Sequence, residues 1–394
     1  MFLMKGRIWF YLLCLLFIFE TPAKPEPLTV NPPNTTRGLF VSVIQDLPVL
    51  SSRKEITRLV DFSKKAHVQT LFVQIYRANK AWFPSKIADS APYEASLKSV
   101  LEDPFALLIK EAHASGIEVH AWINLLSLSG NADAQLLKKY GTEVLTKNLK
   151  EKKTLEDYKI DNQYFLEPGD LKVREELSNI VEEILHTYPA LDGIQFDYIR
   201  YPDKNPAYGY TKMNVDRFKQ ATGLNAIDED SKVWKDWKRD QVTGLLELLV
   251  KQTRMIRPNI QISTTGCMPY SRAYHEAFQD WPSWLEHHLV DFVTIMSYVH
   301  KPDEFQKYIL DAKKKVSDFS KVNIAIGAYA LERSPEAFKR QFELCEKAGG
   351  RACVILHYGS LLKDPALTSP LIEWYQAPWG HVLAFIEKTF SVKN

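Results

Sequence analysis

Leu191-Asp192-Gly193-Ile194-Gln195-Phe196-Asp197-Tyr198-Ile199-Arg200-Tyr201-Pro202 reads as a short buried strand that ends in a carboxylate, two tyrosines and an arginine before a proline stops it. A core strand has no packing reason to carry Asp197 between Phe196 and Tyr198, because burying an unpaired carboxylate is costly. An ion pair with Arg200 or another arginine is one use for it. An acid presented at the mouth of a strand is the other. The choice between them depends on what surrounds this strand.

Seven further apolar, β-branched or aromatic runs frame it: GLFVSVI from Gly38, TLFVQIY from Thr70, EVHAWIN from Glu118, QISTTG from Gln261, FVTIMSY from Phe292, VNIAIGAY from Val322 and RACVILHYG from Arg351. Helical patterns with defined ends lie between most of them. Ser52 and Glu55 form a capping-box pair, Asp103-Pro104 opens a helix that Gly116 closes, and Ser334-Pro335-Glu336 opens one that Gly349-Gly350 closes. Hydrophobic strands alternating with helices predict a parallel sheet buried on both faces, and eight such units predict a closed (β/α)8 TIM barrel. The connections after strands two, three and four, from Ala78 to Leu101, Leu125 to Gly169 and Asp203 to Ser231, are the long ones. They belong to the carboxyl face, where barrel active sites sit. The expected organisation is a leader over 1–23, a proline-rich linker over 24–36, one barrel over 37–375 and a tail over 376–394.

The chain has 394 residues, 45% of them hydrophobic, and its 50 basic residues nearly balance 48 acidic ones. That balance argues against an obligatory nucleic-acid surface. Lys5 and Arg7 precede the apolar run Ile8 to Phe19, which is shorter than the roughly 20 residues of a membrane span. This is the layout of a secretory signal or an uncleaved inner-membrane anchor, and it predicts a secreted or periplasmic barrel. Beyond that run, Cys267, Cys345 and Cys353 give no disulfide framework. Buried free thiols are expected, although Cys345 and Cys353 lie where one bridge would fit.

Strand ends should converge at the barrel mouth. Strand two offers Gln74, Tyr76 and Arg77; strand three, His120, Trp122 and Asn124; strand four, Asp197 and Arg200. Strand six offers Tyr298, strand seven Tyr329 with Glu332 behind it, and strand eight His357 and Tyr358. Asp192 and Asp291 precede strands and belong to the opposite face. Amides, carboxylates and aromatic rings suit a sugar, and glycosidic cleavage ordinarily uses two carboxyl groups. Asp197 is one candidate. Glu167 and Glu332 compete for the other role, with Asp203 and Asp280 behind them. No zinc cluster, nucleophile elbow, P-loop or dinucleotide fingerprint is present, so neither metal nor cofactor is expected. A glycan-binding barrel without turnover, or a deacetylase, is the rival class. The sequence gives no guide to oligomeric state.

VHAWIN, LEPGDLKVREEL, LDGIQFDYIRYP and QDWPSWLEHHLVDFVTIMSY resemble, in order and spacing, the motifs of the bacterial glycosyl hydrolase-like family 10. The likeness runs from about Arg37 to the strand-eight segment. It implies an exported (β/α)8 barrel that hydrolyses polysaccharide, with peptidoglycan glycan strands as the substrate class. By position, Asp197 matches the acid of the strand-four motif and Arg200, Tyr201 and Pro202 its tail. Trp122 and Asn124 match the strand-three motif, and Gln279, Asp280 and Trp281 the QDW. Glu167 stands where the family usually has Asp, and Arg77 is displaced from the usual arginine position.

Overall fold

Inward and outward side chains alternate along each strand of a barrel, and most polar residues of these strands fall on the inward side. In the computed structural model, which describes residues 35–203 and 206–376, eight parallel strands close on themselves. They are β1 (Thr36–Val41), β2 (Thr70–Arg77), β3 (Glu118–Asn124), β4 (Gly193–Asp197), β5 (Gln261–Gly266), β6 (Phe292–Ser297), β7 (Val322–Gly327) and β8 (Ala352–Leu356). Neighbours in sequence pair in space, and β1 pairs with both β2 and β8 to close the ring. The eight runs read from sequence are these eight strands.

Helices cover the outside: α1 (Arg53–Lys65), α2 (Pro104–His113), α3 (Leu171–Thr187), α4 (Lys232–Ile256), α5 (Trp281–Glu286), α6 (Pro302–Lys313), α7 (Pro335–Ala348) and α8 (Pro365–Gln376). Ser52 accepts the Glu55 backbone N–H, and Asp103 accepts those of Phe105 and Ala106, so the starts of α1 and α2 are capped as their sequences imply. Most of the apolar core lies between strands and helices. A second apolar cluster, with Phe40, Phe72, Trp122, Phe292 and Val354, fills the barrel interior.

That interior also holds polar groups, several of which hydrogen-bond one another. Gln195 Oε1 accepts from Ser263 and Thr294, each at 3.2 Å, and Asn323 donates to Thr294. Below them His120 is fully buried between Phe72 and Phe292, a core histidine rather than a ligand. Gly193 makes room for it, since a Cβ there would meet the imidazole at 2.2 Å. At the amino-terminal face Asp192 accepts from the Val119 N–H and Asp291 from the Ile262 N–H, each at 2.7 Å, so both aspartates fasten neighbouring strands.

Cys345 of α7 and Cys353 of β8 form a disulfide with Cα atoms 5.9 Å apart, against the expectation of free thiols; Cys267 is free and buried. Spacing alone could not show that the helix end and the next strand lie within bridging distance. Among the described residues no helix is long and apolar enough to cross a membrane. The leader, the linker to Asn34 and the tail after Gln376 lie outside the described residues.

Replacing Gly193 by alanine should drive the His120 ring out of place and destabilise the barrel by about 1–3 kcal/mol, the usual cost of overpacking. A fall in the urea midpoint at unchanged slope would show it. An unchanged midpoint would mean that His120 has room to yield.

Candidate active site

Strand β4 carries Gly193, Gln195 and Asp197 on its inward face, and Asp197 is the last of them, at the barrel mouth. The carboxylate is 5% exposed. Its Oδ2 accepts from Trp122 Nε1 at 2.9 Å, and its Oδ1 accepts from the Thr265 hydroxyl at 2.5 Å and the Tyr198 N–H at 2.7 Å. The donors come from β3, β5 and the turn after β4. Both oxygens therefore act as acceptors. Tyr198 pays locally for its part, because it sits at φ 53°, a left-handed conformation that costs a bulky residue about 1–3 kcal/mol.

A brace behind this turn holds it. Gln279 accepts the Cys267 N–H at 2.8 Å and donates to the carbonyls of Thr265 at 3.0 Å and Ile199 at 3.4 Å. Trp281 Nε1 donates to the Cys267 carbonyl. The QDW stretch thus ties the end of β5 to the segment following Asp197.

Above Asp197 opens a cavity of about 460 Å³, lined by residues from the ends of all eight strands. Of the residues singled out from sequence, Arg77, Trp122, Asn124, Asp197, Arg200, Tyr298, Tyr329 and His357 line it. Tyr298 and Tyr329 meet edge to face at 5.8 Å, and Tyr329, 47% exposed, stands at the rim. Burial, and then the charge of Asp197, hold the Tyr298 hydroxyl far above its ordinary pKa, so it remains a donor. Burial lowers the pKa of His357, and its Nδ1 accepts the Gly359 N–H, which leaves the proton on Nε2. For Arg200 burial works against the charge, but Cys267, Asp203, Tyr198 and Asp197 outweigh it and raise the pKa.

The other expected residues lie elsewhere. Gln74 is fully buried and locked to Asn124 and Ser42. A register shift between Gln74 and Tyr76 turns Tyr76 outward into the helix-side core. Tyr358 packs against α1 near Phe62, away from the cavity. Glu332 is exposed beyond the turn after β7 and does not line the cavity.

Glu167 is 0% exposed and hydrogen-bonds the hydroxyl of Tyr201, which is itself buried. Its other oxygen, Oε2, has no partner. Burial, opposed by the bond from Tyr201, pushes its pKa from 4.5 to about 7. Neither Glu167 nor Tyr201 lines the cavity, and Asp197 is the one carboxylate among the lining residues. Sequence reading passed over Arg272, Thr265 and Tyr308, which do line it. Thr265 was legible as the inward position of β5, whereas Arg272 and Tyr308 sit on helices that follow strands.

None of the described residues of the three long connections lines the cavity. They act from behind: Leu125 and Leu126 donate backbone bonds to the carbonyls of Asp197 and Tyr198, and Glu167 holds Tyr201. Asp203 pairs with Arg272 at 2.8 Å. No three His, Cys, Asp or Glu side chains among the described residues cluster in a way that could hold a metal ion.

Ionising Glu167 should weaken the fold. Below about pH 4.5 it is protonated in folded and unfolded chains alike. As pH rises to about 7 only the unfolded chain releases the proton, so stability falls through that window, by of order 3 kcal/mol. Glu167→Gln removes this loss. Urea unfolding of both proteins at about pH 5 and about pH 7.5 should show the wild type losing ground to the variant, and parallel changes would refute the assignment.

The family model for Glycosyl hydrolase-like 10 matches residues 35–341. The Escherichia coli K12 protein Glycosyl hydrolase DigH is 22% identical over 413 residues, covering 91% of this chain and 90% of its own length. Glycosyl hydrolase YngK of Bacillus subtilis strain 168 is 22% identical over 272 residues, covering 64% of this chain and 50% of its own. Among solved structures, alpha-L-fucosidase isoenzyme 2 from Paenibacillus thiaminolyticus aligns with a TM-score of 0.60 at 14% identity, over 91% of this chain and 50% of that one. A chitinase from Chromobacterium violaceum aligns with a TM-score of 0.50 at 9% identity, over 87% and 99%. At such identities the likeness to the solved structures is one of fold.

Proposed function

Because the chain belongs to the glycosyl hydrolase-like 10 family, we propose that it hydrolyses glycosidic bonds of a cell-envelope polysaccharide, peptidoglycan glycan strands above all, with Asp197 as the essential carboxylate. The observation that carries this reading is the buried, three-donor carboxylate at the floor of an aromatic-walled cavity. Hydrolysis breaks the bond between the anomeric carbon and the leaving oxygen. Water supplies hydroxide to the carbon, and a proton passes to the leaving oxygen. Trp122 and Thr265 hold Asp197 beneath that carbon, Tyr298 offers a hydroxyl donor beside it, and Tyr329 covers an apolar sugar face.

Most glycosidases place a second carboxyl group across the bond. Asp203 is the acid best placed to join, since Arg272, its partner, lines the cavity and would release it on engaging a sugar. The positive n-region and apolar run in the amino-terminal sequence support export across the cytoplasmic membrane, to the compartment where cell-wall glycan lies.

A second reading is a glycan-binding barrel without turnover, favoured by the single lining carboxylate. Incubating the protein with purified peptidoglycan, intact and stripped of stem peptides, separates the two. New reducing ends seen by mass spectrometry mean hydrolysis, and retention without product means binding alone. Asp197→Asn should slow product formation at least about 10²- to 10⁴-fold while the fold is kept. Near-normal turnover by that variant would remove Asp197 from the chemistry.

A further inference from the structure

Arg200 is 7% exposed and lines the cavity, yet its Nε and Nη1 are buried with no hydrogen-bond partner. Its guanidinium lies 4.2 Å over the Tyr198 ring, which fixes the plane of the fork and satisfies none of its donors. Idle donors on a buried cation are expensive. Two more guanidinium groups share the cavity. Arg272 is paired with Asp203, and Arg77 makes no ion pair among the described residues. Against these three cations stand two carboxylates, Asp203 paired with Arg272 and Asp197, whose oxygens already accept three bonds, so one positive charge is left over. A neutral glycan would leave that excess positive charge unanswered.

We propose that the cavity contains a subsite for a carboxylate carried by the glycan, gripped by the Arg200 fork. The inference rests on reading the cavity as a glycan site. Nη2, with Nη1 or Nε beside it, forms a planar fork that matches a carboxylate in geometry and charge, and stacking on Tyr198 orients it before the ligand arrives. Two glycan chemistries present such a group: the ether-linked lactate of a muramyl residue, when no peptide caps it, and the ring carboxylate of a uronic acid.

Equilibrium binding to the intact chain tests this, with Asp197→Asn used alongside wherever the wild type turns a ligand over. The probes are muramyl glycan oligomers with free lactyl carboxylates, the same oligomers after amidation, oligogalacturonate before and after amidation, and neutral chito-oligosaccharides of equal length. At least one free-carboxylate ligand should bind about tenfold or more tightly than its amidated form. Which one does so identifies the source. Arg200→Lys keeps the charge but loses the fork, and should erase most of that preference; because amidation alters only the ligand, the comparison survives a variant that folds poorly. Neutral and charged ligands bound equally well would overturn the subsite while leaving the glycan reading intact. Binding of none of them would overturn both.

Discussion

Burying Asp197 is the constraint around which the mouth of this barrel is built. An ionised carboxylate out of water costs several kcal/mol unless donors replace the water it loses. Here one donor comes from β3, one from β5 and one from the strained turn of its own chain. Each donor in turn needs support. Phe40 packs edge to face on Trp122 at 4.8 Å, and Gln279 fixes the backbone after Thr265. The third connection anchors the carbonyls of Asp197 and Tyr198. Preorganised donors of this kind hold a reacting group without reorganisation at the moment of reaction.

The same logic divides the connections into two roles. Short segments directly after the strands supply much of the cavity lining, such as Arg200, Tyr298 and His357. The long segments supply stiffness. Glu167 shows this most clearly, as an acid sealed beneath the mouth where it grips Tyr201, one residue beyond Arg200. Its position links the protonation state of the interior to the segment that carries the cavity's buried cation.

The fold was readable because strand and helix periods alternate eight times, and Asp197 was readable because no packing rule places an acid inside GIQFDYI. What misled was the assumption that a polar strand end faces the ligand. Gln74 spends its amide on Asn124 and Ser42, and one register irregularity sends Tyr76 to the outer core. Glu167 in Leu-Glu-Pro-Gly looks like a loop acid until tertiary packing buries it against Tyr201. Arg272 carries no local signal, since only the three-dimensional closure of the barrel brings its helix over Asp203. The Cys345–Cys353 bridge was visible only as one option, because its two ends approach once α7 packs on β8.

A crystal structure of the Asp197→Asn protein with a bound muramyl glycan oligomer tests the central claim most directly. The account predicts an anomeric carbon within about 3–3.5 Å of the side chain at position 197, the reach of a reacting group. A sugar ring seated elsewhere on the barrel, with residue 197 out of contact, would contradict it.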